Sequence, residues 1–392
     1  MKRALSVVLT LVSLLLLAAV AATAFYMLVP IDLTGAGRLG MVGLAFPLHF
    51  LAVTLGAAAL GMIARRLGAR LASGALRLVV ASTLLMALVP CLAQWKGARQ
   101  HGVSLSLADY LTAAVRLNRG LALSARTIEY GAAPDGTKLV LDVWRSDRVP
   151  PGALRPAFVR VHGGAWIHGR RSELGAWNRW LNGLGYDVFD VEYRLPPPER
   201  WRDEVGDVKC ALGWLAANAA RYQVDPERIS VTGHSAGGNL AMLAAYSTGD
   251  PQLPPSCAVP EVRVKSVVNF YGPADLDLLY RSSGSPAYAQ DALRRYIGGT
   301  LAQHPERYRA VSPLSHVGAN LPPTLTILGT SDRIVPADQA EALHRAIARA
   351  GGTHELYLLP ATDHGFDANW GGFGTQITRA KIERFLEQHG GR

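Results

Sequence analysis

The stretch Ile229-Ser-Val-Thr-Gly-His-Ser235-Ala-Gly-Gly-Asn-Leu240 joins an apolar beginning to a serine between glycines and to a second apolar run. The beginning is typical of a buried strand, and the run from Ala236 to Tyr246 predicts a helix. Between them lies the pattern Gly-x-Ser-x-Gly, with Ser235 at its centre. Neighbours without bulk let a serine occupy a sharp strand-to-helix turn with its hydroxyl exposed. The stretch therefore predicts a nucleophilic serine.

A second glycine-rich turn lies upstream, in His162-Gly163-Gly164-Ala165-Trp166, directly after an apolar segment at 157–162 that predicts a strand. Consecutive glycines let the backbone approach a ligand and keep its N–H groups accessible. We therefore predict an oxyanion hole made of the N–H groups of Gly163, Gly164 and Ala236, the last at a helix N-terminus. His162 is expected to hold this loop rather than to act as a base.

Two histidines compete for the role of general base. His364 lies in Ala361-Thr-Asp-His-Gly-Phe, directly after a predicted strand and late in the chain. Folds that carry a serine on a sharp strand-to-helix turn place their base at such a position. His234 adjoins the serine, but an elbow turn directs its side chain away from the serine hydroxyl. We favour His364, with His234 as the alternative.

The carboxylate that orients the base is expected to follow a strand as well. Asp332, in Gly329-Thr-Ser-Asp-Arg, fits this position and gives the chain order Ser, Asp, His. Asp275 is the alternative, because it follows the strand predicted at 264–271. Asp363 is adjacent to His364 and badly placed to bond its imidazole. The predicted triad is thus Ser235, His364 and Asp332.

Short apolar runs alternate with helical stretches from residue 126 to the C-terminus, which predicts a mainly parallel sheet covered by helices on both faces. The predicted strands are 127–130, 139–144, 157–162, 186–193, the strand before Ser235, 264–271, 324–329 and 355–359. The predicted helices are 177–184, 203–221, 236–246, 291–297, 337–350 and 376–388.

Six segments of this region resemble the α/β-hydrolase superfamily, and within it the carboxylesterases of the hormone-sensitive-lipase-like and feruloyl-esterase-like type. They are His162-Gly-Gly-Ala-Trp, Tyr193-Arg-Leu-Pro, Asp225-Pro-Glu-Arg-Ile, Gly233-His-Ser-Ala-Gly-Gly-Asn, Gly329-Thr-Ser-Asp and Asp363-His-Gly-Phe. The first is also similar to the pattern of membrane-attached prenylcysteine methylesterases. The resemblance implies an eight-stranded sheet, Ser235 as nucleophile and the oxyanion hole named above.

Residues 1–95 differ in composition from the rest, because they hold seven Lys and Arg residues against one acidic residue, Asp32. Apolar runs at about 4–29, 41–63 and 78–95 are long enough to span a hydrocarbon core of about 30 Å. Basic residues beside such runs indicate membrane topology rather than nucleic-acid binding. The sequence therefore predicts a transmembrane region at 1–95, a connector at 96–125 and a catalytic domain at 126–392.

Arginine placement predicts the orientation of these spans. Lys2 and Arg3 precede the first span, and four arginines lie between the second and the third. The positive-inside rule puts both segments in the cytoplasm and the catalytic domain on the outer, periplasmic face of a bacterial inner membrane. The first span also resembles a cleavable signal peptide ending at Ala22-Thr-Ala, which would leave two spans and the same location. Of the three cysteines, Cys210 and Cys257 are the pair able to form a bridge in the soluble part; the sequence leaves this open.

Together these features predict a membrane-anchored serine hydrolase that cleaves carboxylic esters of short or medium acyl chains, small-molecule or lipid, without metal or organic cofactor. Trp166 and Phe373 are predicted to line the substrate pocket. An amidase, thioesterase or acyltransferase on the same triad is an alternative, as is a non-enzymatic membrane interaction protein. The oligomeric state stays open.

Overall fold

The computed structural model describes residues 2–29, 37–118, 125–150 and 152–390, and its contacts divide the chain into two compact units. The helical unit comprises Met1–Ala113, Gly329–Arg333 and Leu359–Ile377. The sheet unit comprises Ala114–Leu328, Ile334–Leu358 and Thr378–Arg392.

An eight-stranded sheet forms the centre of the sheet unit, which confirms the predicted fold class. Its strands, in chain order, are β1 (Arg126–Ala132), β2 (Lys138–Trp144), β3 (Arg155–Val161), β4 (Asp187–Val191), β5 (Val224–His234), β6 (Val267–Phe270), β7 (Thr324–Gly329) and β8 (His354–Leu359). Their order across the sheet is β1-β2-β4-β3-β5-β6-β7-β8.

Most of the sheet is parallel. Strand β2 pairs antiparallel with β1 and with β4. Strands β4, β3, β5, β6 and β7 lie side by side in that order, and each neighbouring pair is parallel. Strands β3 and β4 are buried along their full lengths, as expected when helices cover both faces of a sheet. The parallel pairing brings the carboxyl ends of β3 and β5 to one edge, where His162 and Ser235 follow them.

Among the described residues, nine helices follow β3 in the chain. They are α6 (Gly175–Gly183), α7 (Asp203–Ala217), α8 (Ala219–Tyr222), α9 (Ala236–Tyr246), α10 (Leu276–Ser282), α11 (Pro286–Ile297), α12 (Pro305–Ala310), α13 (Ala337–Arg349) and α14 (Phe373–His389). The helix predicted at 203–221 was wrong as one element, because the chain breaks at Asn218 between α7 and α8. The short helices α10 and α12 were not predicted.

The helical unit contains α1 (Lys2–Leu28), α2 (Gly37–Ala45), α3 (Phe50–Arg66), α4 (Arg70–Gln100) and the first part of α5 (Leu107–Asn118). Within the described residues, Lys2–Leu28, Pro47–Arg66 and Arg70–Gln100 are long and apolar enough to cross a membrane. The bounds differ from the prediction for the second and third spans. Met41–Ala45 belong to α2, and a 3-10 turn at Pro47–His49 separates α2 from α3. The helix of the third predicted span, α4, extends beyond 78–95 at both ends. Helix α4 continues through Pro90.

Small residues pack these helices against one another. Ala57, Ala64 and Ala72 are fully buried in a core with larger apolar side chains. The hydroxyls of Thr54 on α3 and Thr83 on α4 lie 2.7 Å apart in a hydrogen bond. Small side chains allow close approach of helix backbones, which is the usual mode of association of helices in a membrane.

The cysteine pair that the sequence left open is bridged. Cys210 on α7 and Cys257 form a disulfide with Cα atoms 5.5 Å apart. Cys91 on α4 is buried and carries a free thiol. Of the predicted connector, residues 119–124 lie outside the described part of the chain.

Candidate active site

Ser235 occupies the turn between β5 and α9 with φ 56° and ψ −121°, a conformation that serine rarely adopts. Its backbone N–H donates to the carbonyl of Phe270 at 2.8 Å, which ties the turn to β6. The glycines around it are required by close approach. A Cβ on Gly233 would lie 2.1 Å from the Gly237 carbonyl oxygen, and one on Gly237 would lie 2.3 Å from that of His162. The Gly-x-Ser-x-Gly spacing is thus a steric condition of the turn.

His234, the alternative base, is buried beneath this turn. Its ring stacks on Phe270 with centroids 4.0 Å apart, and it also contacts Trp177 and Tyr271. These contacts place the imidazole among aromatic side chains, so His234 is part of the core, as the elbow geometry predicts.

The loop after β3 approaches the serine turn closely. A Cβ on Gly163 would lie 2.7 Å from the His234 carbonyl oxygen and 3.5 Å from the Cβ of Ser235. Gly164 has φ 122°, and a Cβ there would lie 2.1 Å from the His168 carbonyl oxygen. Both positions therefore exclude a side chain. Ala236, the third residue predicted for the oxyanion hole, is the first residue of α9.

His162 holds this loop through contacts of its ring and of its backbone carbonyl. Its ring is buried and stacks on Tyr193 with centroids 4.1 Å apart, and its Nδ1 lies 2.8 Å from the Gly163 carbonyl oxygen. The Tyr193 hydroxyl donates to the His162 carbonyl at 3.1 Å. Burial lowers the pKa of His162, so the imidazole is neutral and its Nδ1–H donates to Gly163.

The helical unit holds the predicted base and acid together. His364 Nδ1 lies 2.8 Å from Oδ2 of Asp332, and both side chains are buried. Burial acts to lower the pKa of His364, but the charge and hydrogen bond of Asp332, with the charges of Asp363 and Asp367, together raise this pKa above its ordinary value. This pair has the arrangement in which an aspartate fixes a catalytic histidine.

Asp363 bonds the backbone and an arginine instead of the imidazole. Its Oδ1 accepts the N–H groups of His364 at 2.8 Å and of Arg333 at 3.1 Å. Its Oδ2 accepts the Arg333 Nε at 2.6 Å. Burial raises the pKa of Asp363, and the Arg333 charge opposes that rise. Asp363 thus fixes the loop that carries His364, and Arg333 is the residue that the sequence interpretation missed.

Asp275, the alternative acid, caps a helix. Its side chain accepts the backbone N–H groups of Asp277 and Leu278 at the start of α10. Its own N–H donates to the Gln339 side chain at 2.9 Å. This is the ordinary role of an aspartate at a helix N-terminus.

The two predicted pocket residues make contacts within the protein. The Trp166 ring is buried, stacks on Tyr296 with centroids 5.1 Å apart, and donates its Nε1–H to Asn239 at 3.2 Å. Phe373 is half-buried, and its ring meets that of Tyr110 at a centroid distance of 5.1 Å. Their role in substrate binding stays a prediction.

Comparison with known proteins finds one matching family model and relatives that are named esterases. The family model BD-FAE matches residues 147–347. Esterase LipC of Mycobacterium tuberculosis is 36% identical over 67% of this chain and 64% of its own length, and esterase LipQ of the same organism is 32% identical over 64% and 59%. The chain thus spans about three fifths of the length of these relatives.

A solved esterase structure is similar to this chain in fold. The propionate-bound thermophilic esterase Est2 of the planctomycete Thermogutta terrifontis superposes with a TM-score of 0.56, at 26% identity, over 67% of this chain and 94% of its own. The matched family model covers more than half of the chain, and the sheet of this chain has eight strands, most of them parallel. The chain therefore belongs to the BD-FAE family and has the α/β-hydrolase fold.

Proposed function

We propose that this protein is a serine hydrolase that cleaves carboxylic esters. The observation that carries the proposal is the strained Ser235 turn in a fold whose named relatives are esterases. The buried pair of His364 and Asp332 supports it, because this is the acid–base pair that such a serine requires.

The proposed reaction proceeds in two halves. The Oγ of Ser235 attacks the ester carbonyl carbon while His364 Nε2 takes the hydroxyl proton. The backbone N–H groups of Gly163, Gly164 and Ala236 stabilise the negative charge on the carbonyl oxygen. His364 then protonates the leaving alcohol, which leaves an acyl-serine. Water attacks this ester with His364 again as base, which releases the carboxylic acid and restores the serine.

The acyl group is proposed to be short or medium in length. The related Thermogutta esterase is described with propionate and with butyrate bound, both short acyl groups. Trp166 and Phe373 remain the proposed lining of the substrate pocket. The buried contacts of Trp166 with Tyr296 and Asn239 would make it a fixed wall rather than a mobile one.

We propose further that residues 1–95 anchor the protein in a membrane, with 96–125 as connector and 126–392 as the catalytic domain. Large apolar side chains on α1 and α4 are exposed, which suits contact with lipid, among them Leu11, Leu15, Leu78 and Leu85. Arg65 and Arg66 at the end of α3 and Arg70 at the start of α4 favour a cytoplasmic position for this junction by the positive-inside rule. The Cys210–Cys257 disulfide supports an outer, oxidising location for the catalytic domain.

Hydrolysis of p-nitrophenyl esters from acetate to palmitate by the purified full-length protein tests the proposal. We expect activity to fall steeply beyond butyrate or hexanoate and to be absent in Ser235→Ala. Rates that rise toward palmitate would replace the short-chain assignment with a lipid one. Equal rates in wild type and Ser235→Ala would contradict the serine mechanism.

A further inference from the structure

The side chain of Arg333 joins the two loops that carry Asp332 and His364 to the N-terminal helices. Its guanidinium is only 1% exposed and donates hydrogen bonds to three described residues at different chain positions. Nε donates to Asp363 at 2.6 Å, Nη1 to the Gly37 carbonyl at 2.9 Å and Nη2 to the Tyr26 carbonyl at 3.0 Å. All these residues lie in the helical unit.

Both carbonyl acceptors come from helix ends. Tyr26 is among the last four residues of α1, whose carbonyls lack partners within a helix and carry the negative end of its dipole. Gly37 is the first residue of α2. A buried guanidinium is tolerated only when its donors are satisfied, so the position of Arg333 depends on where α1 ends and α2 begins.

The histidine loop also makes three contacts with α4 and α2 among the described residues. Gln94 on α4 donates to the Ala361 carbonyl at 3.2 Å, and Asn369 donates to the Ala45 carbonyl of α2 at 2.9 Å. Pro360 packs so closely on α4 that a Cβ on Gly97 would lie 3.0 Å from its ring. The loop is therefore held on both sides of His364 by helices of the N-terminal region.

We infer that the N-terminal helices position the Asp332–His364 pair for catalysis, and that Arg333 is the positioning residue that links them. The inference rests on the proposed esterase function. Arg333 is adjacent to Asp332 in the chain, and its backbone N–H donates to Oδ1 of Asp363. The same Oδ1 accepts the backbone N–H of His364, so Asp363 connects Arg333 to the loop of the base. The helices thus serve catalysis as well as anchoring.

Gly40 on α2 offers a test that leaves Arg333 and both loops chemically unchanged. A Cβ at this position would lie 2.1 Å from the Tyr26 carbonyl oxygen and 2.6 Å from Nη2 of Arg333, so Gly40→Ala forces that junction apart. Gly56→Ala on α3 and Gly74→Ala on α4 are matched controls, because a Cβ there meets nothing within 4 Å.

Arg333→Met and Arg333→Lys form a second series. Methionine removes all three hydrogen bonds, whereas lysine keeps the charge beside Asp363 and lacks the planar fork needed for several acceptors at once. Arg345→Met, at an exposed ion pair with Glu341 on α13, controls for the loss of one arginine.

Each full-length variant is measured as turnover per serine titrated with a p-nitrophenyl phosphonate, with kcat and KM determined separately. A merely structural defect reduces the titratable fraction and leaves turnover per titrated serine unchanged. We expect Gly40→Ala to lower kcat about five- to tenfold and Arg333→Met at least tenfold, with KM within about twofold, because small displacements of catalytic groups cost large factors. Arg333→Lys should fall between Arg333→Met and wild type.

Wild-type turnover per titrated serine in both Gly40→Ala and Arg333→Met would overturn the inference while leaving the esterase function intact. Equal losses in Gly40→Ala and in the Gly56→Ala and Gly74→Ala controls would overturn it as well. Absence of ester hydrolysis in the wild type would instead contradict the proposed function, and the inference with it.

Discussion

The Nδ1 atom of His364 lies 2.8 Å from the Oδ2 atom of Asp332, and both residues are buried. An ionised carboxylate only accepts hydrogen bonds, so Nδ1 must carry the proton. The lone pair of the neutral imidazole is then on Nε2, which is the atom a general base needs. This single contact fixes the tautomer of the proposed base.

Replacing Asp332 by asparagine should therefore lower kcat by about 10⁴-fold, because an amide stabilises the wrong tautomer and carries no charge. Asp275→Asn is the matched control, since asparagine caps a helix about as well as aspartate. Its kcat should stay within about twofold of wild type. Ester hydrolysis at saturating substrate measures both; a large loss in Asp275→Asn with activity retained in Asp332→Asn would reverse the assignment.

The pH dependence of kcat/KM should show an acid limb above the ordinary histidine pKa of about 6.5. Burial lowers the pKa of His364, but the charge and hydrogen bond of Asp332, together with the charges of Asp363 and Asp367, raise it above its ordinary value. The base works only when neutral, so activity is lost as pH falls through this raised pKa. In Asp332→Asn the charge is gone and burial remains, so the residual activity should show its limb at lower pH. An unchanged or higher limb would contradict the account.

Gly163→Ala should lower kcat by about 100-fold through the proposed oxyanion hole. Its new Cβ would lie 2.7 Å from the His234 carbonyl oxygen, so the loop must move away from the serine turn. Gly318→Ala is the control, because a Cβ there meets nothing within 4 Å. Phosphonate titration separates slow turnover from misfolding. Wild-type kcat in folded Gly163→Ala would exclude this loop from the oxyanion hole.

Loss of the Cys210–Cys257 bridge should destabilise the protein by about 2–4 kcal/mol, since the bridge closes a long loop in the unfolded chain. Cys257→Ser and reductant should each lower the melting temperature by several degrees, and reductant should have no further effect on Cys257→Ser. Alkylation of the denatured protein from the membrane should label Cys91 alone before reduction and all three cysteines after it. Three labelled cysteines without reductant would contradict an oxidising location.

Much of the fold, and the turn that carries Ser235, follow from short-range sequence patterns. The strand, the glycine spacing and the following apolar run around Ser235 are contiguous in sequence, and the structure has β5, the turn and α9 there. The eight-stranded, mostly parallel sheet follows from alternating apolar segments. Asp332 could be singled out because it follows a strand and precedes His364 in the chain.

The contacts of Arg333 could not be predicted in this way. Its acceptors on Tyr26 and Gly37 lie about 300 residues away in the chain and are backbone carbonyls, which carry no residue-type signal. The break at Asn218 and the short helix α10 depend on packing and capping rather than on periodicity. The bridge between Cys210 and Cys257 requires their Cα atoms to approach to 5.5 Å, which spacing alone does not show.

The most direct test of the central claim is to locate the covalent adduct left by a p-nitrophenyl phosphonate on the full-length protein, by peptide mass spectrometry, while esterase activity is followed in parallel. We expect one adduct per chain, on Ser235, with activity lost in proportion to its formation and no adduct in Ser235→Ala. An adduct on another residue, or full activity with Ser235 modified, would contradict the proposal that Ser235 is the nucleophile.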